Sequence, residues 1–208
     1  MRRARLKPTV ILFLKAPMIG AVKTRLGKDI GAVAAWRFYN NTVRKVSGAL
    51  ARAPAWRLVL AISPDNAPRR IARSVSLPHA WTVMPQGPGD IGERMQRCLD
   101  IWSPAPRVLV GGDIPDISLG IINQSFKNLA KADIVLGPAK DGGFWLIGER
   151  GPRTPRRLFD KVNWSSNQTL AQVQGNIPEH MRVGLAEELA DIDDGDALAA
   201  WQARRSKT

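Results

Sequence analysis

The amino-acid sequence predicts an α/β fold: a mainly parallel central sheet with helices on both faces. Its apolar strand segments run without alternation, as strands buried on two faces do. They alternate at short spacing with helical segments, a pattern that closes by right-handed crossovers. Loops rich in Gly, Pro and Asp follow several of these strands, and in such sheets ligands bind outside the carboxyl ends of the strands.

Thr9 to Leu14 is β-branched and apolar, and reads as the first strand. Within Asp29 to Ala51, residues Trp36, Tyr39, Val43, Val46 and Leu50 recur at steps of three and four, which predicts one long amphipathic helix. Arg57 to Ile62 is a second strand, closed by the turn signal Ser63-Pro64-Asp65-Asn66. A short strand at Trp81 to Met84 leads through Gln86-Gly87-Pro88-Gly89-Asp90 into a helix from Ile91 to Trp102, where Ile91, Met95, Cys98 or Leu99, and Trp102 share a face. Strand Arg107 to Val110 enters Gly111-Gly112-Asp113-Ile114-Pro115-Asp116, and a helix at about Leu119 to Ala130 follows, with Asp116 as its expected cap. Strand Asp133 to Leu136, the loop Gly137 to Gly142 and the apolar segment Gly143 to Gly148 come next. The pattern weakens after Arg150, and a helix around Ala197 to Arg204 is the last element read.

The 208 residues suit a single domain, expected over 1–208 with a core of about 9–200, and 44% hydrophobic content excludes disordered and fibrous classes. The longest clean apolar stretch, Val10 to Leu14, falls far short of the roughly 20 residues that span a bilayer. The basic start followed by an apolar segment imitates an export signal, but no small-residue cleavage site follows it. The lone cysteine, Cys98, cannot form an internal disulfide, which fits a cytoplasmic location. Net charge is +13, from 31 Lys plus Arg against 18 Asp plus Glu. By thirds it is +14 over residues 1–75, −1 over 76–150 and zero over 151–208. Composition does not separate a solvated surface from a site for polyphosphate or nucleic acid. No helix-turn-helix or RNA-binding sheet signature is present, and Arg37, Arg44, Lys45 and Arg52 read as the solvated face of the long helix. Neither nucleic acid nor membrane is expected as a partner.

Three loops after strands carry candidate chemistry. Lys15 to Leu26, reading KAPMIGAVKTRL, combines a glycine with three cations and suits either phosphate binding or simple solvation. It lacks the spacing of a Walker loop or a Rossmann fingerprint. Asp113, at the end of a buried strand, could hold a hard divalent cation or cap a turn. Asp141-Gly142-Gly143 is a turn signal on the same sheet edge. His79 and His180 lie in polar settings away from these loops and read as surface residues. Phe144 and Trp145 read as packing residues.

These motifs, in this order, resemble a bacterial family of GT-A-like proteins commonly labelled glycosyltransferases, in the nucleotide-diphospho-sugar transferase superfamily. Its relatives include the molybdenum-cofactor and phospholactate guanylyltransferases. The resemblance runs from about Val10 to Leu198. It rests on Lys15-Ala16-Pro17, Gly20 and Lys23-Thr24-Arg25-Leu26; on Gly89-Asp90-Ile91-Gly92-Glu93-Arg94-Met95; and on Gly112-Asp113-Ile114-Pro115. Leu136 to Gly148, Trp164-Ser165-Ser166 and Asp191-Ile192-Asp193-Asp194 complete it.

The resemblance implies a three-layer α/β/α sandwich and a metal-dependent transferase. Lys15, Pro17, Gly20, Lys23 and Arg25 would meet the phosphates of a nucleotide or nucleotide-sugar donor, with Gly89, Asp90, Gly92 and Arg94 bordering it. Asp113 would bind Mg²⁺ or Mn²⁺ and serve catalysis, with Asp193 as the second ligand or Asp191 in its place. Asp141 would be a base or acceptor ligand, and Gly142, Gly143, Phe144, Trp164 and Ser165 would shape the side of a small acceptor. Two reactions stay open: glycosyl transfer, and coupling of a nucleoside triphosphate to a phosphorylated small molecule with pyrophosphate release. The loop lacks the dense G-x-G-T-R-M-x-x-x-K signature of many nucleotidyltransferases, which favours the first. The chain departs from the family at Gly112, where a serine is usual, and after Asp193.

Overall fold

A computed structural model describes residues 6–52, 55–67, 81–151, 157–164 and 166–206. Seven strands form one sheet: β1 (Thr9–Lys15), β2 (Arg57–Ser63), β3 (Trp81–Pro85), β4 (Arg107–Gly111), β5 (Ile134–Pro138), β6 (Phe144–Glu149) and β7 (Val183–Leu185). Their order across the sheet is β3-β2-β1-β4-β6-β5-β7. β6 runs antiparallel to both β4 and β5, while the other neighbouring pairs are parallel. The reason is connection length: residues 139–143 make too short a link for a crossover, so β5 and β6 form a hairpin.

The strands bury both faces, as their unbroken apolar runs predict. Val10, Leu12, Leu14, Leu58 and Leu60 point into one layer, where they meet Tyr39, Val43, Val46 and Leu50 of α2 (Ala32–Ala51) and Ile122 and Leu129 of α4 (Leu119–Leu129). Ile11, Val59, Ala61 and Leu109 point into the other, against Met95, Cys98 and Leu99 of α3 (Ile91–Ile101) and Val173 of α5 (Thr169–Gly175). Arg37, Arg44, Lys45 and Arg52 are exposed, as the solvated-face reading requires.

Several boundaries differ from the sequence reading. The helix expected within Asp29 to Ala51 is α2, which starts at Ala32; a separate α1 (Thr24–Ile30) takes up the end of the Lys15 to Leu26 loop and stops at Gly31, whose φ of 87° interrupts the helical path. The cap of α4 is Ser118, whose side chain accepts from the Ile121 N–H. Asp116 does not cap it; its carboxylate accepts from Trp201 Nε1 at 2.8 Å and so ties down α6 (Gly195–Arg205). The short elements α5 and β7 leave no clear periodic signal. His79 and Ser165 lie outside the described residues, and His180 is exposed. Among the described residues no helix is long and apolar enough to cross a membrane.

Candidate active site at the carboxyl edge of the sheet

The ends of β1 and β4, and the segment before α6, meet at one edge. Leu189 pairs with the end of β5: its N–H donates to Pro138 O and its carbonyl accepts from Lys140 N, both at 3.1 Å. With Ile192 buried, this fixes the run Asp191 to Asp193 beside the loop that follows β1. Asp194 then caps α6 by accepting from Ala197 N at 2.8 Å, and the Gly195 N–H donates to Asp29 Oδ2 at the end of α1.

Two carboxylates far apart in sequence converge on one ammonium. Lys23 Nζ lies 2.9 Å from Asp113 Oδ2 and 2.8 Å from Asp193 Oδ1. Those two oxygens are therefore within 5.7 Å of one another, the sum of the two distances. Arg25 Nη2 reaches the other Asp193 oxygen at 2.6 Å, with most of its side chain in solvent. Lys23, the residue just before α1, has φ 46° and ψ 49°, a left-handed conformation rare for a residue with a side chain.

Burial works against a charged lysine, but the charges of Asp113 and Asp193, with hydrogen bonds to both, outweigh it and hold the Lys23 pKa above its ordinary value. Burial likewise works against the Asp193 carboxylate; the charge and hydrogen bond of Lys23, then Arg25, hold it below the usual range. Asp191 has less help. Burial and then the neighbouring Asp193 charge push it up to about 6.

Two adjoining cavities share this pair as lining. The basic one, about 490 Å³, is lined by Lys15, Lys23, Arg25 and Arg94 together with Asp113 and Asp193. The other, about 860 Å³, shares Phe13, Arg25, Ile91, Asp113 and Asp193 with it and adds the aromatic side chains of Phe144 and Trp164. Phe144 and Trp164 are braced by Phe159, with ring centroids 6.4 and 6.0 Å away. Asp141 lines this second cavity; its Oδ1 accepts from Gly143 N at 2.9 Å and shapes the β5–β6 turn. Gly142, with φ 85°, packs so tightly that a Cβ would lie 2.2 Å from the Asn167 carbonyl oxygen.

Not every candidate residue reaches these cavities. Pro17 uses its carbonyl to accept from Trp36 Nε1, and Gly20 supplies a left-handed turn. Asp90 caps α3 through a reciprocal capping box with Glu93. Gly89 and Gly92 are pressed against Glu93 and against Phe159 and Trp164 respectively. Gly112 does line the basic cavity, and a Cβ there would lie 2.9 Å from the Leu14 side chain, so the glycine matches a tight contact. Trp145 is buried, as a packing residue, with its Nε1 donating to Glu187 O, and it also lines the larger cavity.

Two residues that the sequence reading passed over position the basic cavity. Gln86 is fully buried and clips the strand ends together, donating from Nε2 to Leu14 O at 2.9 Å and Ala61 O at 3.1 Å. Its Oε1 accepts from Arg94 Nη1 at 3.2 Å and so aims that guanidinium. Tyr39 donates to Lys15 O at 2.8 Å, and burial, then the Asp113 charge, keep its phenol protonated. A polar residue right after a strand end was the available signal for Gln86.

The donor set fits a hard divalent cation, because both converging groups are carboxylates. Among the described residues no group of three or more His, Cys, Asp and Glu side chains is arranged to hold a metal ion. Asp113 and Asp193 would offer such an ion two carboxylates, a number that Mg²⁺ can take alongside phosphate oxygens and water.

Residues 43–166 match a bacterial family described as "Uncharacterized protein conserved in bacteria (DUF2064)". No curated protein matches the chain. Among solved structures it is similar to a provisionally named nucleotide-diphospho-sugar transferase from Desulfovibrio desulfuricans G20, at 27% identity and a TM-score of 0.80, covering 90% of this chain and 83% of that one. It shares its fold with 4-diphosphocytidyl-2C-methyl-D-erythritol synthase from Anaerococcus prevotii, at 9% identity and a TM-score of 0.62, covering 96% and 99%. It also shares it with glucosyl-3-phosphoglycerate synthase from Mycobacterium tuberculosis, in complex with Mn²⁺, UDP and glucosyl-3-phosphoglycerate, at 11% identity and 0.53, covering 94% and 76%. The GT-A-like, nucleotide-diphospho-sugar transferase fold is thereby established.

Proposed function

This chain belongs to the bacterial family DUF2064, and we propose that it is a metal-dependent transferase that moves a sugar from a nucleoside diphosphate sugar to a small acceptor. The observation that carries this reading is that the Asp113 and Asp193 carboxylates line both a basic cavity and an adjoining aromatic-walled one.

In this reading Lys15, Arg25 and Arg94 bind the donor diphosphate, with Arg94 held in aim by Gln86. A divalent cation held by Asp113 and Asp193 would supply neutralisation of the charge that develops on the departing diphosphate. The sugar and acceptor occupy the larger cavity, where Phe144 and Trp164 offer flat apolar faces. Asp141 stands on that side as the base or acceptor ligand, with the Gly142–Gly143 turn fixing its position. The protein mainly orients reactants and excludes water, which is the larger part of catalysis when the leaving group is already good.

Calorimetric titration with a panel of nucleotides and nucleotide sugars plus Mn²⁺ tests this. Binding is expected for one or a few donors, with loss in Asp113→Ala. Equal binding by that variant, or none by the wild type, overturns the proposal. A product assay separates the two transfers: free nucleoside diphosphate marks glycosyl transfer, and pyrophosphate release from a nucleoside triphosphate marks nucleotidyl transfer.

A further inference from the structure

Lys23 is poorly placed to be a simple phosphate ligand. Its side chain is 3% exposed, and its ammonium lies within 3 Å of an oxygen of each of the two acidic residues assigned to the metal. An ammonium and a divalent cation held by the same pair of carboxylates lie close together and repel, so each weakens the other's hold there.

We propose that Lys23 is a resident counter-cation, which holds Asp113 and Asp193 together before metal arrives and gives up that position when metal binds. This rests on the metal-dependent reading of the site. The charges explain why such a residue is useful. Without a cation, Asp113, Asp191 and Asp193 would repel one another at partly buried positions, and Lys23 with Arg25 offsets most of that charge. The same offset makes the empty site a weak attractor for free metal.

Lys23 also lines the basic cavity with Lys15 and Arg94. A four-carbon stem lets an ammonium that leaves the carboxylates stay in that cavity and meet a donor phosphate. Metal and donor then favour one another's binding: the metal frees the lysine, and the diphosphate receives it.

The test is Mn²⁺ binding to the full chain without nucleotide, read from the electron paramagnetic resonance signal of the free ion. Lys23→Met and Lys23→Gln are compared with the wild type and with Asp113→Asn, each checked for folding by circular dichroism. Both lysine variants are expected to bind Mn²⁺ at least about tenfold more tightly than the wild type, and to gain more in Tm from added Mn²⁺. A lysine variant that folds only when Mn²⁺ is present has the same meaning. Wild-type affinity in both lysine variants, with weaker binding in Asp113→Asn, overturns the proposal and leaves the metal site standing. If Asp113→Asn binds Mn²⁺ as well as the lysine variants do, or no variant binds it, the metal reading falls and the proposal with it.

Discussion

Replacing Gln86 by leucine should weaken both the fold and the donor site, and the structure sets the size of each effect. The side chain is fully buried and makes two hydrogen bonds to backbone carbonyls, Leu14 O at 2.9 Å and Ala61 O at 3.1 Å. A typical buried hydrogen bond contributes about 0.5–1.5 kcal/mol net, so losing two costs about 1–3 kcal/mol. Leucine has nearly the same volume, which keeps any packing change small beside that loss. For a chain of this length each kcal/mol lowers Tm by roughly 2–4 °C. Urea unfolding with an unchanged m value would measure the loss directly. The functional arm follows from the third contact: without Gln86 Oε1, Arg94 loses its 3.2 Å acceptor and keeps only those to Asp90 O and Ser63 Oγ. Donor Kd should therefore rise, by less than in Arg94→Ala. Stability within about 0.5 kcal/mol of the wild type would refute the clip. Unchanged donor affinity in Gln86→Leu, with a clear loss in Arg94→Ala, would refute the aiming role.

Three further outcomes are expected. Glu149→Gln strips the fully buried Arg107 guanidinium of its carboxylate partner, and urea unfolding should show a loss of about 3–5 kcal/mol. Gly142→Ala forces a side chain into a φ of 85° and against the Asn167 backbone; its cost should exceed the roughly 1–2 kcal/mol of the left-handed conformation alone, as thermal unfolding would read. Burial, the largest influence on Cys98, pushes its thiol up to about 11, so very little thiolate exists at pH 8 and an aromatic disulfide reagent should modify it only after unfolding; rapid reaction of the native chain would contradict this.

The sequence and the fold divide the explanation of this protein between them. Continuous apolar runs such as Val10 to Leu14 and Arg57 to Ile62 report burial on two faces, and that alone determined the α/β class, the strand positions and which loops follow strands. Local signals at Asp113, Asp141 and the Lys15 to Arg25 loop likewise marked candidate chemistry. Local signals fail where one residue type serves two ends. Asp116 looked like a cap and holds Trp201. They fail again where partners are distant, since periodicity within a window carries no information on what the window packs against. Lys23 and Asp193 are 170 positions apart, and only chain closure brings them to 2.8 Å. The same holds for Gln86, which bridges two strands from earlier in the chain, and for β6, whose antiparallel direction follows from a short hairpin link and not from its composition. The sequence by itself determined the strands, the loops and the supply of charged side chains. The tertiary structure decided which charges face one another, because burial and long-range pairing, and not residue type, set whether a lysine meets solvent or two carboxylates.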